Sequence, residues 1–501
     1  MITNNNRIEL KKWKFCIDQT GYGEGSGWAG KYFDDSKWVE VETCNSWENF
    51  EHAMFDYEGR AWFRTRFTPT EPGRKCILHF EGIGGSAKVF VNGRLMGGTD
   101  NRYLPFEVDA TLAIWDGGEN VVAVLVDNRY FGKKHLTGGV NIEWVLYGGL
   151  THRVWVEERK NIEVEHLRVD AAADGSAKVT VAVANRTGKD GTLNLAMEIE
   201  GLPEFTMAKE ITSPRTATTK YVFEGKAENV KLWSPEEPNL YNLKVTLSSA
   251  KGTVLCEATE RIGFRTISVD GTKILLNGQD YLLKGANRYD EYHPYGNCPP
   301  EEVIREEFME MKKAGLNLIR THYPQDPIHY QLADEVGLMY MIEVPLNWWN
   351  PTPEETLADH INLTKEAVEC LDNTFYWHCN HPCWTIWSVG NECAHSAPAA
   401  QKVFRMLADR MRGLKTNRLV TYAANKPLLN SEELDFCDIL CMNYYSGIKS
   451  ETVKDFPEQL ETVLREKLRV AQELYPNVPH VMSEFGYVGI GGIYNNPNGG
   501  R

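Results

Sequence analysis

Several things are scarce in this chain of 501 residues, and each scarcity closes a class of function. Cysteine comes to eleven, an odd count scattered over the whole length. Strand-like positions such as Cys76, Cys256 and Cys441 suit reduced, buried thiols, so a disulfide framework is not expected. No run approaches the ~18 consecutive apolar residues of a membrane span. The start, Met1 to Arg7, lacks the basic-then-apolar layout of a secretory signal. A cytoplasmic chain without membrane contact is therefore expected. Positive charge is also short: a formal net charge of −15 opposes the phosphate backbone and disfavours nucleic-acid binding. No phosphate-cradling Gly-rich loop stands before a helix, so no nucleotide cofactor is expected. Low-complexity tracts are absent, and 42% hydrophobic with 25% charged residues is ordinary globular composition. At about 100 to 200 residues per domain, a chain of this length divides into several domains.

What is plentiful is aromatic surface, with 14 Trp and 22 Tyr. Most of these rings belong in cores, but flat aromatic faces also stack on the apolar face of a pyranose. Over 1–160 the pattern is short alternating strands broken by turns: Trp62 to Phe67, Cys76 to Phe80, Ala87 to Val91 with the turn Asn92-Gly93, and Asn120 to Val126. It reads as an all-β sandwich. A second β series over 161–265, including Ala177 to Val183 and Tyr241 to Leu247, has the length of one immunoglobulin-like sandwich.

In the remaining segment, 266–501, strands alternate with helical segments after Gly271, the grammar of a parallel α/β architecture. Seven strands are expected: Tyr281–Gly285, Asn317–Thr321, Met339–Val344, Trp384–Val389, Leu419–Ala423, Ile439–Asn443 and His480–Ser483. Helices are expected at Pro299–Ala314, Asp326–Val336, Ala397–Arg412 and Phe456–Leu474. A closed (β/α)8 barrel needs eight strands in about 250 residues. The closing stretch Gly486–Arg501 is rich in Gly and Asn without helical pattern, so the barrel reads as incomplete at its C-terminus. The alternative, a small open barrel, leaves an unpaired edge on the seventh strand.

Two of these strands end abruptly in a glutamate: Thr385-Ile386-Trp387-Ser388-Val389-Gly390-Asn391-Glu392 and His480-Val481-Met482-Ser483-Glu484. A parallel barrel presents catalytic groups in this way, at the C-terminal ends of its strands. Two carboxylates across a sugar-sized gap are the working parts of a glycosidase. Glu392 would need a raised pKa to serve as acid, with the hydrophobic strand and Trp387 supplying desolvation. Glu484 would stay ionised as nucleophile, and a retaining mechanism calls for carboxyls ~5 to 5.5 Å apart.

The whole chain resembles family 2 of the glycoside hydrolases, most closely its β-glucuronidase and β-galactosidase branch. The resemblance rests on Trp387 to Glu392, on Ser483-Glu484-Phe485-Gly486, and on Ile262-Gly263-Phe264-Arg265-Thr266 leading into the barrel. Lys284 to Arg288, Arg320-Thr321-His322-Tyr323-Pro324, Asn380-His381-Pro382, Val91-Asn92-Gly93 and Leu104-Pro105-Phe106 extend it. It implies a jelly-roll sandwich, an immunoglobulin-like sandwich and a TIM barrel in that order, and a retaining exo-β-glycosidase acting on glucuronic acid or galactose without a cofactor. Glu392 is implied as acid/base and Glu484 as nucleophile. Asn391 would donate to the sugar 2-hydroxyl, and Arg320, His322 and Tyr445 would surround the pair. Asn287, Asp290 (or Tyr289, where the family more often shows His) and the jelly-roll carboxylate Glu143 complete the implied substrate contacts. Tyr444 stands where the glucuronidases tend to carry Arg, which leaves both sugars open. The glucuronidases' Asn and Lys that grip a substrate carboxylate would fall beyond Arg501. His378-Cys379-Asn380-His381-Pro382-Cys383 has poor spacing for zinc, and no metal is expected. A non-catalytic carbohydrate-binding chain is the rival reading, and a homo-oligomer is left open.

Overall fold

The computed structural model describes residues 7–50, 54–129, 136, 144–445 and 458–486. The first β region is two antiparallel sheets face to face. One has four strands in the order Arg7–Glu9, Val154–Arg159, Lys75–Phe80, Phe106–Asp109. The other has six, and its inner strand Asn120–Asp127 is buried at all eight positions. That strand reads as an unbroken apolar run because both its faces are covered. Val122, Val124 and Val126 meet the opposing sheet, while Ala123 and Leu125 meet an outer aromatic layer with Trp62 and Phe90.

The second β region packs a three-stranded antiparallel sheet against a four-stranded one. Here the alternation is clean: in Gly191–Ile199 every second residue from Leu193 is buried, the period-2 signature of a half-buried strand.

The third region is a parallel seven-stranded sheet in sequence order. Its strands are β1 (Gly285–Asn287), β2 (Leu318–Thr321), β3 (Met339–Glu343), β4 (Trp384–Asn391), β5 (Leu419–Ala424), β6 (Leu440–Asn443) and β7 (His480–Glu484). The helices are α1 (Glu301–Lys313), α2 (Pro327–Val336), α3 (Ile361–His378), α4 (Pro398–Gly413) and α5 (Glu458–Leu474). Every residue of β2 to β6 is buried, as expected when parallel strands are covered on both faces. Glu301 and Glu302 open α1 and Lys312 and Lys313 close it, complementing the helix dipole. No helix among the described residues is long and apolar enough to cross a membrane.

Two differences from the sequence expectation have physical causes. The first barrel strand sits at Gly285–Asn287 rather than Tyr281–Gly285, because the Tyr281 N–H is taken by the Ile274 carbonyl of a small antiparallel sheet. Helix α3 lies where no helix was expected, its apolar stripe (Leu363, Ala367, Cys370, Leu371) being interrupted by buried threonines. Residues 425–439 link β5 to β6 without a helix. The Gly- and Asn-rich stretch from residue 487 onward lies outside the described residues.

The short motifs outside the strand ends are domain ties. Asn380 accepts from the Val169 N–H (2.8 Å) and donates to the Leu167 carbonyl (2.9 Å), both on the second sandwich. Arg265 is buried and donates to the carbonyls of Pro382 (2.9 Å), Trp384 and Asn417. Burial, then the nearby Arg418 charge, pushes its guanidinium down to about 9. The His381 ring and the Cys383 N–H occupy the two Asp334 oxygens, at 2.6 and 2.9 Å.

Gly337 ends α2 at φ 82°, and a Cβ there would meet the Pro235 carbonyl oxygen at 2.5 Å. Gly337→Ala therefore adds left-handed strain to a backbone clash. It is expected to destabilise the protein by about 1–3 kcal/mol, read as a lower urea midpoint.

Candidate active site

The C-terminal ends of β2, β3, β4, β6 and β7 converge on one cluster of polar side chains. Its centre is Arg320 at the end of β2, with a side chain 4% exposed. One guanidinium nitrogen, Nη2, donates to Glu343 Oε2 (2.9 Å) and to Asn391 Oδ1 (2.8 Å). The other, Nη1, donates to Glu484 Oε1 and, at 3.4 Å, to Asn287 Oδ1. Burial alone would raise the Glu343 carboxyl. The Arg320 charge, with hydrogen bonds from His322 (3.0 Å) and Ser388 (2.8 Å), brings it below the ordinary carboxylate value. Arg320 itself is disfavoured by burial but held firmly protonated by Glu343 and Glu484. The result is a fixed positive charge between two carboxylates, with the geometry of a charge-assisted network.

Glu484 also accepts from the Tyr445 hydroxyl at 2.8 Å. Burial, then the negative charges of Glu484 and Glu392, raise the Tyr445 phenol, so it stays a donor.

Glu392 follows β4 in a left-handed conformation, φ 54°, which is strained for a residue with a side chain. The backbone around it is over-determined. Its own N–H bonds to Ala423 O, the Asn391 N–H to Leu346 O and the Trp348 N–H to Asn391 O, each at 2.9 Å. Three side chains then hold the carboxylate: Trp348 Nε1 (2.9 Å), Asn425 Nδ2 (2.7 Å) and Asn443 Nδ2 (2.8 Å). Asn391 is fully buried. Its carbonyl oxygen takes Arg320 and Asn443, while its amide Nδ2 has no partner among the described residues. An oriented buried donor without a partner is an expected place for a ligand hydroxyl.

Three sequence profiles match consecutive stretches of the chain. They are the family 2 glycosyl hydrolase galactose-binding domain-like profile over residues 47–161, the family 2 glycosyl hydrolase profile over 162–265, and the family 2 TIM-barrel domain profile over 267–498. The chain belongs to glycosyl hydrolase family 2. Within family 2, a β-galactosidase from Thermoanaerobacter pseudethanolicus is 31% identical over 370 residues, 71% of this chain and 48% of that protein. The chain thus spans about half the length of curated relatives such as this one. A β-glucuronidase from Paenibacillus borealis is 25% identical over 520 residues, covering 97% of this chain and 83% of that one. The structure of a β-glucuronidase from Ruminococcus gnavus in complex with a C6-substituted uronic isofagomine is similar at TM-score 0.84 and 26% identity, over 99% of this chain and 86% of that chain.

Of the residues expected from the sequence of this family 2 chain, Glu392, Glu484, Asn391, Arg320, His322 and Tyr445 come together, with Asn287 at the edge. Asp290 takes a different place. It is buried behind Tyr323, whose hydroxyl donates to it at 2.6 Å, in a small cavity lined also by Arg102 and His152. Burial pushes its carboxyl up. Glu143 lies outside the described residues. Not expected were Glu343, Ser388, Trp348, Asn425 and Asn443, and the Trp144 ring, which stacks on His322 (centroids 5.7 Å apart, planes 9° apart). Glu343 carries the same signal as the expected pair, an apolar strand closed by a carboxylate.

Proposed function

We propose that the chain is a retaining exo-β-glycosidase removing a terminal β-linked sugar, glucuronic acid or galactose. The observation that carries this reading is that Arg320 bonds both Glu484 and Asn391, the residue before Glu392, while Tyr445 also bonds Glu484. Glu392, carrying the proton, gives it to the glycosidic oxygen while a Glu484 oxygen attacks the anomeric carbon. The carbon–oxygen bond to the leaving group breaks as the bond to Glu484 forms. Glu392, now a carboxylate, takes a proton from water, which then cleaves the glycosyl-enzyme ester with net retention. Asn391 Nδ2 donates to the 2-hydroxyl, a bond that strengthens as positive charge grows at the anomeric carbon. Arg320 is engaged by carboxylates and orients Glu484 rather than reading the sugar.

The whole chain is expected to hydrolyse an aryl β-glucuronide or β-galactoside with retained configuration in the first-formed product, read by proton NMR. An inverted product, or no turnover of either, overturns the reading. Glu392→Gln is expected to lower kcat/KM about 10²- to 10⁴-fold for a poorly acidic phenol leaving group. For a dinitrophenol, which leaves without protonation, first-step loss is expected to be slight. Equal losses for both leaving groups would sink the acid role.

A second reading, saccharide binding without turnover, draws on the sheet itself: among the described residues β1 and β7 are its two edges and do not pair. Binding without hydrolysis in the same assays would select it.

A further inference from the structure

The three donors on the Glu392 carboxylate are shared unequally between its oxygens. Oε2 accepts from Trp348 Nε1 (2.9 Å) and from Asn425 Nδ2 (2.7 Å), whereas Oε1 accepts, among the described residues, from Asn443 Nδ2 alone (2.8 Å). A carboxylate oxygen has two in-plane lone pairs, and indole and amide N–H groups donate without accepting. Both positions on Oε2 are therefore filled, and one on Oε1 is open. A proton on Glu392 has one place to sit without displacing a donor, and that place is on Oε1, beside Asn443.

The way the Asn443 amide is turned is fixed from across the barrel. A guanidinium only donates, so the Asn391 atom that meets Arg320 Nη2 at 2.8 Å is its carbonyl oxygen. The Asn443 atom 3.0 Å from that oxygen is then the amide nitrogen, and the same nitrogen reaches Glu392. The Asn443 oxygen is left facing β7, where the Ser483 hydroxyl donates to it at 2.7 Å. Asn391 and Asn443 are both buried, which keeps water from competing for these bonds. A directed chain results, from Arg320 on β2 through Asn391 on β4 and Asn443 on β6 to Ser483 on β7. Its last member is the neighbour of Glu484, which the same arginine holds.

We infer that Asn443, backed by Ser483, is a positioning residue that holds Glu392 with Oε1 as its proton-carrying oxygen; this rests on the glycosidase reading, in which Glu392 is the acid/base. The Asn443 N–H stabilises the carboxylate left when the proton has gone, and so favours its transfer to the leaving group. Ser483 acts one bond further back, by keeping the amide from turning.

The test is the pH dependence of kcat/KM on the whole chain, with a phenyl and a dinitrophenyl β-glycoside of the same sugar. For the phenyl substrate, Asn443→Ala removes a donor to the ionised form and is expected to move the alkaline limb up by about one pH unit and to lower the plateau about tenfold. The dinitrophenyl substrate, which leaves unprotonated, is expected to lose less. Ser483→Ala leaves every Glu392 partner in place and is expected to shift the limb the same way by a smaller step, Ser483→Thr to return it, with the thermal midpoint holding in both. If Asn443→Ala does not fold, the Ser483 pair decides alone. A limb that stays in place or moves down in the alanine variants overturns the inference. Equal losses for both substrates overturn it as well, by showing Asn443 to act only through Asn391. No turnover of either substrate by the unaltered chain overturns the glycosidase reading beneath it.

Discussion

Glu484→Gln is expected to lower turnover of an aryl β-glycoside by at least about 10⁴-fold, with the protein still folded. An amide oxygen is too weak a nucleophile to form the glycosyl-enzyme, and no other described carboxylate is held at the same place. Glu343 is the nearest alternative. Both its oxygens are engaged, Oε1 by His322 and Oε2 by Arg320 and Ser388, and its side chain is fully buried. The fold should survive because Arg320 keeps Glu343 as its counter-charge when Glu484 becomes neutral. Gln also offers an oxygen to Tyr445, so the local packing changes little. Steady-state kinetics with a thermal melt on the same sample decide the matter. Turnover within tenfold of the parent, in a folded variant, would remove Glu484 from the nucleophile role.

Much of this arrangement was legible along the chain. Parallel strands buried on both faces read as apolar runs, so β2 to β6 were placed by their ends, and a carboxylate closing such a run is conspicuous. Glu343 was less conspicuous, because the expected strand Met339–Val344 carries one apolar residue beyond it, whereas the observed strand ends at Glu343. Asn443 likewise closes β6. The Trp144 wall was not legible. It reaches His322 across a domain boundary, and no periodicity encodes which loop of a sandwich meets which barrel strand. Asp290 misled for a related reason. It follows β1 as a sugar-binding residue would, yet Tyr323 claims its carboxylate, a contact set by side-chain direction rather than by spacing. The first strand slid because a strand with one neighbour pairs only where that neighbour reaches, and Leu282, apolar but 71% exposed, reads in sequence like an inner residue.

Arg320→Leu is expected to cost about 3–5 kcal/mol of local stability at neutral pH, because it leaves two buried carboxylates without their cation. The pH dependence should change sign as well. In the parent, the Glu343 carboxyl is held below its unfolded value, so its contribution is present above ~4.3 and is lost as pH falls through the lower folded value. Without the guanidinium, only the His322 and Ser388 hydrogen bonds still oppose burial and the like charge of Glu484, and the folded value of Glu343 is expected to rise above ~4.3. A raised carboxyl gives stability that is full at low pH and disappears as pH increases. The variant should therefore recover on going from pH 8 to pH 5, over which the parent's Glu343 contribution is unchanged. The measurement is native-state hydrogen exchange at the amides of Leu318–Thr321, which reads the strand carrying position 320 without requiring the three domains to unfold together. Adding Glu343→Gln removes one of the stranded charges and should restore part of the protection at pH 8. Protection in Arg320→Leu that matches the parent at both pH values would show that the buried ion network does not hold the site together.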